Sequence, residues 1–159
     1  MYVQIALRTG SIDDLNQAFF YANEAINLNK KESRNKALAY SRRGYLHRDY
    51  TGNNVAAITD FNKSIEIHYK LFEQPNIYTF MNRLRIYKKS QMYDYMCNDL
   101  IELKRLIADQ TFADKELDYI EKYLSIDFNI NLNSFIDKFE FQECLSSYEY
   151  YSDTFIIKK

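Results

Sequence analysis

Two histidines, two cysteines and a few paired acids are the residues here whose types could do chemistry, and their spacing limits what that chemistry is. His47 and His68 stand 21 positions apart (68 − 47), and neither has a cysteine or carboxylate at a metal-ligand interval such as His-x-x-x-His, so no zinc site is expected. Cys97 and Cys144 lack Cys-x-x-Cys spacing and read as isolated, reduced thiols filling a core, which suits a cytoplasmic protein better than a disulfide. Asp13/Asp14 and Asp94/Asp99 are pairs in sequence, but they fall at a helix start and on a helix face, where acids are common without catalysis. Neither a phosphate-cradling Gly-x-x-x-x-Gly-Lys-Ser/Thr loop nor a Gly-x-Ser-x-Gly nucleophile turn occurs, and three glycines are too few to build one. The expectation is a non-enzyme with no catalytic residues, no cofactor and no metal.

The elements that position side chains are clearest between Ala37 and Ile67. Ala37, Tyr40, Gly44 and His47 recur at intervals of three and four, as do Ala57, Ile58, Phe61, Ser64 and Ile65, so each set lines one side of a helix. The turn Thr51-Gly52-Asn53 joins them. A mid-helix glycine costs about 1 kcal/mol relative to alanine. Gly44 therefore predicts a close helix contact, with Tyr40 and Phe61 filling the space beside it. The triplet Asn62-Lys63-Ser64 matches a glycosylation acceptor, but its place inside a helix argues against use.

At these residues the chain resembles the tetratricopeptide repeat (TPR) family, whose helix-turn-helix unit runs Trp, Leu-Gly, Tyr, Ala-x-x-x-Phe and Pro. Tyr40 stands at the aromatic, Gly44 at the glycine, Ala57 and Phe61 at the Ala/Phe pair and Ser64 at a further small position. Arg43 replaces the leucine, His47 the tyrosine, and no proline follows until Pro75. A shift of 39 residues (57 − 18) lays Ala18 on Ala57, Ala25 on Ser64, Ile26 on Ile65 and Leu28 on Ile67, a second copy of the second helix. A weaker copy follows Pro75, with Tyr78 to Arg85 as first helix, Leu84 at the glycine position, and Met92 to Leu106 as second helix carrying Met96, Leu100 and Leu103. The resemblance implies an all-α chain of stacked helical hairpins, a TPR-like α-solenoid over about residues 2–106, with C-terminal capping helices over 107–159 in one domain.

Along the chain, residues 2–9 read as a short helix and Ser11 as the cap of a helix reaching about Leu28. Asn29 to Lys36 is a polar, mostly basic joint. Thr111-Phe112-Ala113-Asp114 repeats the capping signature before Leu117, Ile120, Tyr123 and Leu124. Asp127 to Asn133 should break that helix, because asparagine and aspartate compete for local backbone bonds. A last helix is expected from Ser134 to about Tyr151. With 47% hydrophobic residues in 159, the chain can bury a core, while one proline and three glycines argue against an all-β protein. No apolar run reaches the roughly 18 residues that span a bilayer, and the first residues lack a secretory signal's basic start.

In the resembled family the first helices of successive repeats line a concave groove for peptides or a partner helix. Carried over, that groove would take Leu38, Ser41, Tyr45 and Arg48 from one repeat and Tyr78, Met81, Arg85, Lys88 and Lys89 from the next, flanked by Arg42 and Arg83. Such a basic groove with an aromatic floor implies a protein partner or acidic peptide, bound by charge and paired arginine hydrogen bonds. These residues do not reproduce the lysine and asparagine set with which the family clamps acidic C-termini. The acids Asp127, Asp137, Glu140, Glu143, Glu149 and Asp153 suggest that the chain's own C-terminal segment packs on or competes for the groove. The alternative is a nucleic-acid-binding helical repeat, since basic residues interleave with Tyr45, Tyr78 and Tyr87. A net charge of −1 and a pI near 6.1 disfavour it. Self-association through an apolar patch of the 15 tyrosines is a further expectation.

Overall fold

The computed structural model describes residues 12–109, 112–140 and 144. Among these residues there are seven α-helices and no strand: α1 (Ile12–Leu28), α2 (Arg34–Leu46), α3 (Asn54–Phe72), α4 (Ile77–Lys89), α5 (Tyr93–Ala108), α6 (Asp114–Tyr123) and α7 (Leu132–Lys138). The expected helix over residues 2–9, the Ser11 cap and the chain beyond Cys144 lie outside the described residues. The contacts group the chain into two compact units, Met1–Ile86 and Tyr87–Lys159. The division falls inside α4.

In the first unit, α2 packs on both α1 and α3. Ser33 caps α2 by accepting a hydrogen bond from the Lys36 amide at 3.2 Å. The far end of α2 widens into a π turn over His47–Thr51, where the His47 carbonyl accepts from the Thr51 hydroxyl at 2.8 Å and the Asn53 amide at 3.0 Å. Gly52 then reverses the chain at φ +64°, a left-handed conformation that favours glycine. Asn53 starts α3 by accepting from the Ala56 amide at 3.0 Å. A turn read from three residues is thus built by a π-widened helix end, a left-handed glycine and an asparagine cap.

Gly44 makes the α2–α3 approach possible. A Cβ built on it would lie 2.6 Å from Phe61 Cε1 and 2.7 Å from Cδ1, inside the ring's van der Waals envelope. Phe61 and Ala57 are fully buried and join Ile86 of α4 in one cluster, with the Tyr45 ring edge-on to Phe61 at 5.4 Å. Ala18, Leu46, Leu15, Phe19 and Tyr50 form the second cluster of this unit, between α1 and the end of α2.

In the second unit Met96, Leu100 and Leu103 of α5 are fully buried, as are Ile120 and Leu124. The cap of α6 falls at Ala113, whose amide donates to the Glu116 carboxylate at 3.0 Å, two residues after the expected Thr111. Alanine has no side-chain acceptor, so only the carboxylate half of a capping box forms. Asn129, at φ +56°, ends the π turn Leu124–Phe128, and Asn131 caps α7 by accepting from the Asn133 and Ser134 amides, which is the break expected between Asp127 and Asn133. Cys97 and Cys144 are not free thiols: they form a disulfide across 47 residues, with Cα atoms 5.9 Å apart. Isolation in sequence misled, because pairing depends on Cβ approach in the fold and not on spacing.

Candidate functional site

Of the nine positions expected to line a groove, two are buried. Seven lie in the first unit and two, Lys88 and Lys89, in the second. Ser41 is buried, its hydroxyl 2.8 Å from the Thr79 hydroxyl of α4, and Met81 is fully buried. Ser41 thus ties α2 to α4 where an open floor was expected, and neither buried side chain can face a partner. Tyr45 is half-buried and its hydroxyl accepts from Asn82 at 3.0 Å. Arg48 donates to Asp49 at 2.6 and 2.9 Å and also to Asn82, and its guanidinium lies 5.2 Å over the Tyr45 ring. Tyr78 and Arg85 are exposed on α4.

In the second unit Lys88 donates to the Asp127 carbonyl and sits 4.8 Å from the Phe128 ring centre, while Lys89 is exposed. Lys104 similarly donates to the Phe139 carbonyl at 3.0 Å. The C-terminal quarter therefore meets lysine through main-chain carbonyls here. The last acids, Glu143, Glu149 and Asp153, lie outside the described residues.

Leu38 belongs to a different concavity. Between α1 and α2 runs an open groove of about 480 Å³, walled by Ala18, Tyr21, Ala22, Ala25, Leu28 and Asn29 on one side and Asn35, Leu38, Ala39 and Arg42 on the other. Both walls repeat at three and four residues, so each is a single helix face. Alanines make the floor low, while Tyr21 (46% exposed) and Leu28 (75% exposed) stand at its edge. Arg42 is exposed and makes no hydrogen bond or ion pair among the described residues, in contrast to Arg43 and Arg48. Lys30 and Lys31, in the loop that joins the two walls, are exposed as well. Glu32 beside them is paired with Lys70 at 2.9 Å. Arg42 thus puts a cation on the groove's own wall, and Lys30 and Lys31 add two in the adjoining loop. The signal for it was present in the sequence: the 39-residue shift also lays Ala22 on Phe61, so one copy has a small residue where the other has a ring.

The remaining chemistry-bearing groups hold α2 to α3. Arg43, at the position where the repeat pattern has leucine, grips the buried Asp60 carboxylate with Nε at 2.7 Å and Nη2 at 2.6 Å, and donates from Nη1 to Asn23 at 2.7 Å. An ion pair thus replaces an apolar contact. The hydrogen bond to Asp60 raises the Arg43 pKa. His47 is half-buried against the Phe19 ring at 5.0 Å, with Nε2 3.9 Å from Asp60. Burial holds its pKa below the ordinary histidine value, against the pull of Asp60. His68 is buried beside Phe72, and desolvation, then repulsion from Arg34, lowers its pKa as well. Ser64 Oγ, one turn from His68, is buried like the His68 Nε2 atom, and neither has a hydrogen-bond partner. Among the described residues no three His, Cys, Asp or Glu side chains gather as a metal site, and no helix is long and apolar enough to cross a membrane. Compared with protein-family models, with curated proteins and with solved structures, the chain matches none.

Proposed function

We propose that this chain is a non-enzymatic protein-binding scaffold of TPR-like helical hairpins, acting as an adaptor, and that its binding surface is the groove between α1 and α2. The observation that carries the reading is the groove itself: an open concavity with a low alanine floor, apolar edges at Tyr21 and Leu28, and a cation, Arg42, on its wall. Concave, mostly apolar surfaces with a few placed polar groups are where ligands bind. Leu38 is the one member of the original set that contributes to it, and a protein or acidic peptide remains the partner class, because Arg42, Lys30 and Lys31 favour carboxylates. The Gly44–Phe61 approach supports the hairpin part of the reading, since it supplies the backbone contact that the repeat pattern calls for.

Selection of random peptides displayed on phage, using the full chain as bait, tests this. Peptides should be enriched that carry acids beside apolar residues and that lose binding to a Tyr21→Asp/Leu28→Asp variant. Enrichment of nothing, or of peptides that bind parent and variant equally, would overturn it. Both substituted positions are exposed, so the variant should melt as the parent does.

A further inference from the structure

We infer that the Cys97–Cys144 disulfide is a redox latch: oxidised, it holds the segment that carries Phe139 and Cys144 along α5, and reduction releases that segment and bares Cys97. The chain after Asn131 meets α5 through α7, whose Phe135 is buried, through Lys104, which donates to the Phe139 carbonyl at 3.0 Å, and through the disulfide. Lys104 and Cys97 stand seven residues apart (104 − 97), two turns of one helix, so both fastenings lie on one face of α5, about 10 Å apart along its axis. Phe139 precedes Cys144 whereas Lys104 follows Cys97, so the segment runs antiparallel to α5, as a strap fastened at each end.

The fastenings are unequal. A single lysine-to-carbonyl hydrogen bond at a part-buried site holds weakly, because water competes for both groups. Helix α7 has only seven residues, too few to stand without packing, and it ends at Phe139, whose backbone is extended at φ −69° and ψ 123°. The disulfide closes the 47-residue interval between strap and helix, and so removes much of the freedom the strap would gain by leaving. The rest of the unit does not depend on it: Ile120, Tyr123, Leu124 and Phe128 are buried with no cysteine among them. Cys97 is 0% exposed and Cys144 4%, so a reductant waits for the strap to lift and meets the Cys144 sulfur first. One thiolate of a dithiol reductant attacks that sulfur, the bond between the two Sγ atoms breaks, and Cys97 leaves as a thiolate that takes a proton from water. The second thiol of the reductant, losing its own proton, then attacks the reductant sulfur of the mixed disulfide, and Cys144 leaves as a thiolate and is protonated in turn. Two electrons pass to the cysteines, and the dithiol ends as a disulfide.

The test equilibrates the full chain with reduced and oxidised dithiothreitol at a series of ratios. Intact mass reads the thiol state, and amide hydrogen exchange reads the strap at the Cys144 amide, which donates to the Glu140 carbonyl at 3.0 Å. Exchange there should quicken about tenfold or more with the same midpoint at which the mass gains two hydrogens, while α1 to α3, α5 and α6 keep their protection. Cys144→Ser should exchange fast at every ratio, and its Cys97 should react with a maleimide within about tenfold of its rate in urea. Exchange unmoved by reduction, with Cys97 of Cys144→Ser unreactive short of urea, would show that the segment stays docked without the bond. Loss of protection throughout α5 and α6 would show a staple for the whole unit, and a mass that never loses two hydrogens would show that the pair does not form. Each of these results would overturn the latch.

Discussion

Two faces of the first unit carry one pattern and differ at its edge. On α3, Ala57, Phe61 and Ser64 are fully buried, and the Phe61 ring presses where Gly44 has no side chain. On α1, Ala18 and Ala22 are buried as well, and the difference lies at the edge, where Leu28 stands 75% exposed and its counterpart on α3, Ile67, is 2% exposed. Ring and hole differ too: a phenylalanine opposite a glycine closes a helix pair, whereas an alanine leaves space. A repeat pattern therefore specifies which face of a helix is sticky, and the large residue in it decides how fully the chain covers that face itself.

The comparison can be broken most forcefully at Phe61. Phe61→Ala should cost about 4 kcal/mol, the range for emptying a buried phenylalanine site, read from urea unfolding. A loss under about 1 kcal/mol would mean that the ring does not hold α3 on α2. Next comes the ion pair that stands where the pattern has leucine. Arg43→Ala strands the Asp60 carboxylate at 3% side-chain exposure and should cost about 3 kcal/mol, at the low end for a buried pair because the arginine is partly solvated. The double variant Arg43→Leu/Asp60→Leu should regain most of that, because apolar partners of similar volume replace such pairs at little cost.

A smaller effect sharpens the contrast between the faces. Gly44→Ala gains about 1 kcal/mol of helix propensity but drives a methyl into Phe61, and should be net destabilising by about 1–2 kcal/mol. Ala25→Leu, on the open face, should change stability by no more than about 0.5 kcal/mol. Equal penalties at the two positions would erase the distinction between filled and open. The smallest effect is acid sensitivity. His47 and His68 have folded pKa values held below the ordinary value, chiefly by burial. As pH falls past about 6.5 the unfolded chain takes up protons first, so their stabilisation is present above that pH and is lost below it. The melting temperature should drop between pH 7.5 and 5.5, and the drop should shrink in a His47→Gln/His68→Gln variant.

Local chemistry was legible in the sequence because it lies in adjacent residues. The turn at Thr51-Gly52-Asn53, the Gly44–Phe61 approach and the asparagine-rich break before α7 each rest on propensities that a few neighbours set. What was not legible depends on which faces meet. Ser41 and Met81 read as groove positions because the family resemblance carries them there, but a carried-over pattern does not say that Ser41 meets Thr79 or that Met81 is buried. Arg43 read as a departure from the pattern, and its partner Asp60, 17 residues on, restores the contact by other means. The disulfide was missed for the same reason: two cysteines 47 apart declare nothing until α5 and the chain after α7 come together. The α1–α2 groove was half visible, in the one alanine, Ala22, that stands where the second copy has Phe61.

The central claim is that the groove between α1 and α2, lined by Leu38 and Arg42, is the binding surface. Titration of the ¹⁵N-labelled full chain with an acidic, apolar peptide selected on that chain, followed amide by amide, tests it most directly. The largest shifts should fall at Tyr21, Ala25, Leu28, Leu38 and Arg42, with the Gly44 and Phe61 amides nearly still. Shifts centred instead on Tyr78 and Arg85, or none at saturating peptide, would contradict it.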